Sequence, residues 1–284
     1  MFTVNIKGQL KEFSNPILMG IINVTPDSFF ADSRISDDEA LIDRAQKMIE
    51  EGAEILDIGA CSTRPGSLPC SEKEEMLRLR SALSILQKSR LQALISVDTF
   101  RSSVARMSVV EFGVDIINDV SGGEGDKEMF QTIAELRIPY ILTHPGNWDE
   151  HIGNTMNSEP SSYQRNSVAE VCNFLSAKKS ILNKLGVSDV IIDPGIGFGK
   201  TTAENFKIIK NLEFIKKEVG APVMVGLSRK SMITNVLKND ASDALNGTTV
   251  MNTVSLIKGA DILRVHDVKA SKEAVVLLQE LFGQ

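Results

Sequence analysis

The sequence predicts an α/β protein of the (β/α)8 TIM-barrel class, preceded by a short N-terminal strand pair. Eight short apolar runs alternate with helical patterns almost without interruption. The length of 284 residues and the hydrophobic content of 42% suffice for one such barrel. No linker or shift in composition interrupts the alternation, so we expect residues 1–284 to form a single domain. A doubly wound sheet is the alternative, but it rarely needs eight uninterrupted strand–helix units.

The predicted strands are short apolar runs, and most of them end beside a polar residue. In chain order they are Ile17–Ile22, Glu54–Ile58, Ala93–Val97, Val114–Ile117, Tyr140–Thr143, Val190–Ile192, Pro222–Gly226 and Ile262–Val265. Such runs are typical of parallel strands that are buried on both faces. Ahead of them, residues 2–13 turn near Gly8 and predict a strand pair that caps the bottom of the barrel.

Helical patterns fill the segments between the strands. In the first, Asp37–Glu51, the pair Ser36 and Glu39 predicts a capping box and Gly52 a C-cap. The later patterns are Glu72–Gln87, a segment up to Val110, Lys127–Leu136, a segment up to Leu185, Glu204–Glu218, Ser231–Leu237, Asp243–Lys258 and Lys269–Leu281. The polar loop Pro145–Ser161 contains the only tryptophan, Trp148, and is a candidate mobile flap.

Composition excludes several classes of function. The net charge is −6 and no basic stripe is present, which argues against nucleic-acid binding. The three cysteines, Cys61, Cys70 and Cys172, are odd in number and contain no Cys-x-x-Cys pair, so we expect neither a disulfide framework nor a structural zinc site. There is no signal-peptide pattern and no apolar run of ~20 residues. We therefore expect a soluble, cytoplasmic protein without membrane partners.

Hydrogen-bonding or charged residues follow every predicted strand. In strand order they are Asn23; Ser62, Thr63 and Arg64; Asp98 and Thr99; Asn118 and Asp119; His144; Asp193; Ser228, Arg229, Lys230 and Ser231; and Arg264, His266 and Asp267. The carboxyl ends of barrel strands converge on one mouth, where barrel enzymes place their active sites. A polar group at every strand end therefore predicts an active site.

The most informative segment is Asp193–Lys200, which reads DPGIGFGK. A carboxylate stands where a buried strand ends, Pro194 stops the strand, and three glycines let the backbone approach a ligand closely. The alternative is a tight glycine turn with a solvated aspartate and a solvated Lys200.

The candidate residues fall into two chemical groups. Arg64, Arg264 and His266, with the hydroxyls of Thr63 and Ser231, suit an anion such as a phosphate or pyrophosphate. Two carboxylates and an amide, from Asp98, Asp193 and Asn118, suit a heterocycle edge rich in N–H donors, and Lys230 would face the acceptor atoms of the same ring. The alternative for the histidines His144 and His266 is a structural role. Asp119 and Asp267 are expected to tie down loops, and Cys61 to be a small loop residue.

Together these motifs resemble the dihydropteroate synthase family, from residue 17 to residue 282. The matching segments are Asn23–Phe29, Ser62–Gly66, Ser96–Thr99, Ile117–Gly122, Asp193–Lys200, Ser228–Ser231 and Arg264–Val268. Each is weak alone, but their order along the chain makes the set specific.

The resemblance implies the reaction of 6-hydroxymethyl-7,8-dihydropterin diphosphate with 4-aminobenzoate, giving 7,8-dihydropteroate and pyrophosphate through a dissociative, carbocation-like step. It also implies a magnesium ion (Mg2+), a homodimer, and sulfonamides as competitors of aminobenzoate. By resemblance, the pterin ring is held by Asp98, Asn118, Asp193 and Lys230. The diphosphate is held by Asn23 (through Mg2+), Arg64, Arg264 and His266. The aminobenzoate pocket is bordered by Thr63, Pro65, Phe198, Lys230 and Ser231.

The chain departs from the family pattern at three loops. After Phe29 it reads Phe30-Ala31-Asp32-Ser33, where many members read Ser-Asp-Gly-Gly. Cys61 stands where many members carry Glu, and His144 is followed by Pro145 where the family usually has Met. Because the ring-binding and phosphate-binding residues are retained, we expect an active enzyme. One rival is a related barrel that passes a methyl group from methyltetrahydrofolate to a corrinoid protein, but that class has no need of the phosphate-binding residues. The other is a degenerate paralogue that binds pterin without turnover.

Overall fold

The structure is a computed structural model that describes residues 1–24, 34–61, 70–148 and 167–283. Its strands are β1 (Phe2–Ile6), β2 (Gln9–Phe13), β3 (Ile17–Asn23), β4 (Ile55–Gly59), β5 (Leu94–Asp98), β6 (Ile116–Asp119), β7 (Tyr140–Thr143), β8 (Val190–Asp193), β9 (Met224–Val225) and β10 (Ile262–Val265). The strands from β3 onward correspond to the eight predicted ones, with ends that differ by up to two residues.

The eight strands from β3 to β10 form one parallel sheet that closes on itself. Their order is β8-β7-β6-β5-β4-β3-β10-β9, and each pairs in parallel with its neighbour. A parallel bridge between Ile192, in β8, and Val223, directly before β9, joins the two ends of the sheet. The predicted TIM barrel is therefore confirmed.

The predicted N-terminal strand pair is also confirmed. β1 and β2 are antiparallel and turn at Lys7 and Gly8. Val4, Ile6 and Phe13 pack against a cluster of residues from the first halves of the barrel strands, including Ile17 and Ile262. The pair covers the end of the barrel opposite the strands' carboxyl termini and leaves the mouth free for a site.

The helices between the strands are α1 (Arg34–Glu50), α2 (Glu72–Ser89), α3 (Ser102–Phe112), α4 (Met129–Leu136), α5 (Ser167–Lys184), α6 (Thr202–Lys210), α7 (Leu212–Val219), α8 (Ser231–Leu237), α9 (Leu245–Ile257) and α10 (Val268–Phe282). A short 3-10 helix, Ala241–Asp243, precedes α9. No helix in the described ranges is both long and apolar enough to cross a membrane.

Two of the helix predictions are wrong in detail. α1 begins at Arg34, so Ser36 lies inside the helix and is not its N-cap. The predicted helix Glu204–Glu218 is two helices that meet at Asn211, whose side-chain amide donates to Lys207 O at 2.7 Å. Asparagine competes in this way for backbone groups and is a poor residue for a helix interior.

Trp148 is not carried on an exposed flap. It is 5% exposed and meets the ring of Phe100 edge-on, with ring centroids 5.2 Å apart. Val120 and Phe198 complete this small cluster. The prediction of a mobile flap is therefore wrong for Trp148, because its large ring is buried between the loops after β5 and β8. The remainder of the predicted loop, from residue 149 to Ser161, lies outside the described residues.

Candidate active site

The carboxyl ends of four neighbouring strands form one row at the mouth of the barrel. Asn23 pairs with Gly59, Gly59 with Asp98, and Asp98 with Asn118. Gly59 has no side chain, and a Cβ placed there would lie 3.4 Å from Asn23 Oδ1 and 3.7 Å from Asp98 Oδ2. The row therefore gathers three predicted site residues around a gap that glycine leaves open.

Arg264 connects β10 to this row. Its Nε donates to Asp57 Oδ2 and its Nη2 to Asp98 Oδ2, both at 2.6 Å. Asn118 Nδ2 also donates to Asp57 Oδ2, at 3.0 Å. One guanidinium thus meets two carboxylates, and one of these carboxylates also fixes an amide. The predicted role of Arg264 in binding phosphate stays a prediction.

Asp57 is a site residue that sequence reasoning missed. It lies in the middle of β4, inside the run Ile55–Gly59, and is fully buried. The available signal was a single carboxylate in an otherwise apolar strand, because a buried charge needs a partner.

Three buried acceptor atoms in this network have no hydrogen-bond partner among the described residues. They are Asp57 Oδ1, Asp98 Oδ1 and Asn118 Oδ1. Buried polar atoms in proteins nearly always have a partner, so a group of orphaned acceptors indicates a place for a ligand with N–H donors. This agrees with the predicted chemistry of Asp98 and Asn118.

Burial sets the proton affinity of Asp98. Removal from water raises its pKa to about 7, the Arg264 charge opposes that rise, and the charge of Asp57 adds to it. The Asp98 side chain is therefore about half ionised at neutral pH.

Asp193 and Lys230 form the other side of the mouth. Asp193 Oδ1 accepts from Gly195 N at 2.7 Å, and Lys230 Nζ donates to Ile196 O at 2.5 Å. Lys230 Nζ also stands 4.6 Å from the ring centroid of Phe198. Burial lowers the pKa of Lys230 to about 8 against the attraction of Asp193, and burial raises the pKa of Asp193 against the attraction of Lys230. The two residues are thus electrostatic neighbours, as the prediction for the ring requires.

Gly226 lies between Arg264 and Asp193. A Cβ on Gly226 would lie 3.7 Å from Arg264 Cβ and 4.0 Å from Asp193 Oδ2. The structure therefore brings five predicted residues together at one mouth: Asp98, Asn118, Asp193, Lys230 and Arg264.

The glycine loop after β8 is held from within by Lys200. Lys200 Nζ donates to His144 O, Gly195 O and Phe198 O, at 3.1, 2.8 and 3.2 Å. Burial lowers the pKa of Lys200 to about 7. The alternative of a solvated lysine is therefore wrong. Gly195 has φ +70°, and a Cβ there would come within 1.9 Å of His144 O, so the close approach of the two loops requires glycine.

His144 has a structural role, which was the alternative to ligand binding considered for it from the sequence. Its ring meets Phe174 edge-on, and its Nδ1 accepts from Gly146 N at 3.3 Å. Burial, with the charge of Lys200, lowers the pKa of His144 to about 3, so the ring is neutral. It shapes the loop and carries no charge to an anion.

Two of the remaining anion-binding candidates, His266 and Ser231, lie in the described part of the chain. His266 N donates to Ser228 Oγ at 3.3 Å, and its ring Nδ1 lies 3.1 Å from the same hydroxyl. Ser231 is exposed at the first residue of α8. Thr63, Arg64 and Pro65 lie outside the described residues.

Asp119 and Asp267 tie down loops, as predicted. Asp119 accepts from Ser121 N and Gly123 N, at 2.7 and 2.9 Å, and from the hydroxyl of Tyr140. Asp267 pairs with both Nε and Nη2 of Arg229, at 2.8 and 2.9 Å.

The expectation about cysteine is wrong. Cys61 and Cys70 form a disulfide, with Cα atoms 5.6 Å apart. An odd number of cysteines argues against a framework of several bridges, but it does not prevent one local bridge when the chain brings two together. Arg101 lies beside the bond, with Nη1 3.9 Å from Cys61 Sγ and Nη2 donating to Cys70 O at 2.8 Å.

Comparisons with known proteins identify the family of this chain. A family model described as "Pterin binding enzyme" matches residues 19–266. The dihydropteroate synthase of Clostridium beijerinckii is 36% identical over 270 residues, which cover 93% of this chain and 94% of that protein.

Solved structures give the same result. A dihydropteroate synthase from Clostridium difficile, crystallised in the presence of pteroic acid, has a TM-score of 0.85 and 30% identity, and the match covers 100% of both chains. The Yersinia pestis enzyme in complex with a sulfonamide drug has a TM-score of 0.86 and 30% identity, again with 100% of both chains covered. The chain therefore belongs to the dihydropteroate synthase family of pterin-binding enzymes.

Proposed function

We infer that this protein is a dihydropteroate synthase, a transferase of folate biosynthesis. It joins 6-hydroxymethyl-7,8-dihydropterin diphosphate to 4-aminobenzoate and releases pyrophosphate. The observation that carries this inference is the set of orphaned buried acceptors on Asp98 and Asn118, which lie beside Arg264 at the barrel mouth. The chain's similarity to the family over nearly its whole length supports the same conclusion.

The proposed role of the acceptors is to hold the pterin ring by its N–H edge. Asp98 and Asn118 present oxygens from neighbouring strands, and Asp193 presents a carboxylate from across the mouth. Lys230 would donate to the ring's acceptor atoms, since it is a buried cation whose charge acts on Asp193 from the same side of the mouth. Each contact uses a charged or buried partner, and hydrogen bonds to charged groups contribute about 1.5–3 kcal/mol each.

The charges at the mouth suit a dissociative reaction. The bond between the pterin methylene carbon and a diphosphate oxygen breaks, a bond from that carbon to the amine nitrogen forms, and the nitrogen releases one proton. Positive charge develops on the methylene and ring, where Asp98 and Asp193 stabilise it. An aryl amine is neutral at pH 7 and nucleophilic, so the reaction needs positioning more than a strong base.

The proposed diphosphate and aminobenzoate contacts surround the ring site. Arg264 lies in the last strand and His266 directly after it, and they would stabilise the charge on the departing pyrophosphate. Phe198 stands under Lys230 Nζ at 4.6 Å and offers an aromatic wall for aminobenzoate beside Ser231. Sulfonamides, which a related structure binds, would compete there.

We propose that Mg2+ assists the reaction through Asn23. Asn23 Oδ1 and Asp98 Oδ2 face the same gap above Gly59. Amide and carboxylate oxygens suit Mg2+, which takes one or two protein ligands together with substrate phosphates, so the residues present fit this ion. When bound, Mg2+ would neutralise charge on the diphosphate.

We also propose a homodimer that pairs through α9 and α10. These helices pack against each other and leave several large apolar side chains exposed: Val250, Ile257, Leu277, Leu281 and Phe282. Leu277 and Leu281 are 69% and 71% exposed, and a patch of this kind favours a protein interface. Sedimentation velocity should show a dimer that Leu277→Glu dissociates, whereas the equally exposed Leu10→Glu on β2 leaves it intact. The cytoplasmic location stays a prediction.

The activity is tested by following both products. Purified protein is incubated with the dihydropterin diphosphate, 4-aminobenzoate and Mg2+, and dihydropteroate and pyrophosphate are measured together. We expect both products, each requiring both substrates, and a strong loss in Asp193→Asn but none in Asp43→Asn, which changes an exposed aspartate on α1.

Other outcomes identify the alternatives. Pyrophosphate without dihydropteroate would mean that water captures the activated pterin. Pterin binding with neither product would identify a degenerate paralogue and would refute the synthase.

A further inference from the structure

We propose that Asp57 is a positioning residue for pterin recognition, which sets the orientation of the Asn118 amide and the Arg264 guanidinium from beneath the ring site. This proposal rests on the proposed function, because it concerns how the same site holds its ring. Asp57 acts through Asn118 and Arg264 and does not contact the reacting atoms.

The position of Asp57 in the sheet places it below the ring-reading row. In register, Ile21 pairs with Asp57, and Asp57 pairs with Ser96. The row above runs from Asn23 through Gly59 and Asp98 to Asn118. Two residues along a strand bring a side chain back to the same face, so Asp57 and Gly59 face the same side. Gly59 has no side chain, which leaves the Asp57 carboxylate free to meet groups of the upper row.

Asp57 fixes which atom of the Asn118 amide meets a ligand. A carboxylate accepts hydrogen bonds and donates none, so the atom that Asn118 points at Asp57 must be its Nδ2. Asn118 Oδ1 is then directed elsewhere, and it is buried without a partner among the described residues. An acceptor is what the N–H edge of a pterin needs. With Asp57 absent, the amide is free to turn and present a donor to that edge.

Asp57 also fixes the plane of the Arg264 guanidinium. The carboxylates of Asp57 and Asp98 receive different nitrogens, Nε and Nη2, so the group is held at two points. Asp57 Oδ2 receives both Arg264 and Asn118. A single buried oxygen thus ties a residue of β10 to a residue of β6 across the barrel interior, and both belong to the predicted substrate site.

The test separates geometry from charge by using two substitutions. Asp57→Ala removes the shared acceptor, whereas Asp57→Asn keeps an oxygen that can accept from both donors but removes the charge. We expect Asp57→Ala to raise the KM for the pterin diphosphate roughly tenfold or more, because the Asn118 amide loses the acceptor that orients it and with it one hydrogen bond to the ring. Its KM for aminobenzoate should stay within about twofold. Asp57→Asn should restore the pterin KM to within about threefold of the parent.

Asp57→Asn is nearly isosteric, so it keeps the proposal testable even where Asp57→Ala yields no folded protein.

The matched control is Asp115→Asn together with Asp115→Ala. Asp115 is also a buried aspartate, but it accepts from Ile95 N at 2.8 Å and pairs with Lys7 at the opposite end of the barrel. These variants should lower stability without changing the KM for the pterin diphosphate.

Equilibrium binding of pteroic acid to each variant keeps the test independent of turnover. If the parent protein makes no dihydropteroate, the proposed function fails. The Kd of pteroic acid for the parent and the Asp57 variants still tests the role of Asp57. A parental pterin KM and pteroic acid Kd in Asp57→Ala would overturn the proposal. So would equal losses for both substrates, or an Asp57→Asn variant as impaired as Asp57→Ala.

Discussion

Lys230→Ala tests the electrostatic design of the mouth. Lys230 Nζ bonds to Ile196 O and offsets the buried charge of Asp193, which is 5% exposed. The substitution removes the proposed charged hydrogen bond to the ring, worth about 1.5–3 kcal/mol. At about 1.36 kcal/mol per tenfold, this is a loss of roughly 10- to 150-fold in kcat/KM. The pKa of Asp193 should rise as well, since its opposing cation is gone, so the true loss should lie toward the upper end.

The assay is steady-state formation of dihydropteroate, with the pterin diphosphate and aminobenzoate varied in turn. Lys207→Ala, which removes an exposed lysine from α6, is the matched control and should keep full activity. Circular dichroism at the assay temperature confirms that both variants are folded. A folded Lys230→Ala enzyme with parental kcat/KM would refute the assignment of Lys230 to the ring and the charge argument behind it.

Three further predictions follow from the same geometry. The pKa of Asp98 is raised to about 7, and we propose that its ionised form accepts the ring's donors. The kcat/KM for the pterin diphosphate should therefore fall about tenfold per pH unit below pH 7. A flat profile from pH 8 to 5 would contradict this role of Asp98. Lys200→Met leaves three loop carbonyls without their donor, so urea unfolding should show a loss of about 1–3 kcal/mol, and parental stability would contradict the role of Lys200. The Cys61–Cys70 bond closes a ring of ten residues, so replacing both cysteines by Ser should lower the free energy of unfolding by about 2–3 kcal/mol in denaturant titrations. A dithiol reductant should reproduce that loss in the parent and have no effect on the double variant.

The fold and most of the ring site were predictable because they depend on local patterns. Apolar runs mark the strands, and parallel strands bring their carboxyl ends to one mouth by topology alone. Asp98, Asn118 and Asp193 therefore had to lie close together once the barrel was recognised. No information about side-chain contacts was needed for that step.

What could not be predicted depends on contacts between distant parts of the chain. Asp57 has its partner Arg264 at a separation of 207 residues, and nothing in the run Ile55–Gly59 indicates which cation it meets. The burial of Trp148 likewise depends on Phe100, from the loop after another strand. The disulfide is a milder case, since Cys61 and Cys70 are only nine residues apart and the odd cysteine count concealed the pair.

The charged residues at the mouth are buried to different depths, which explains how one mouth can bind both a ring and a diphosphate. Asp57, Asp98 and Asp193 are nearly or fully buried, so their field acts in a region of low polarity, where each charge is felt strongly. Arg264 donates to one oxygen each of Asp57 and Asp98. The carboxylate oxygens that it does not meet stay open to the N–H donors of a ring. We expect the acceptor oxygens of these buried carboxylates to favour a ring with N–H donors over a phosphate at the same depth. We therefore propose that the pterin ring lies deeper in the mouth and the diphosphate toward Asn23 and His266.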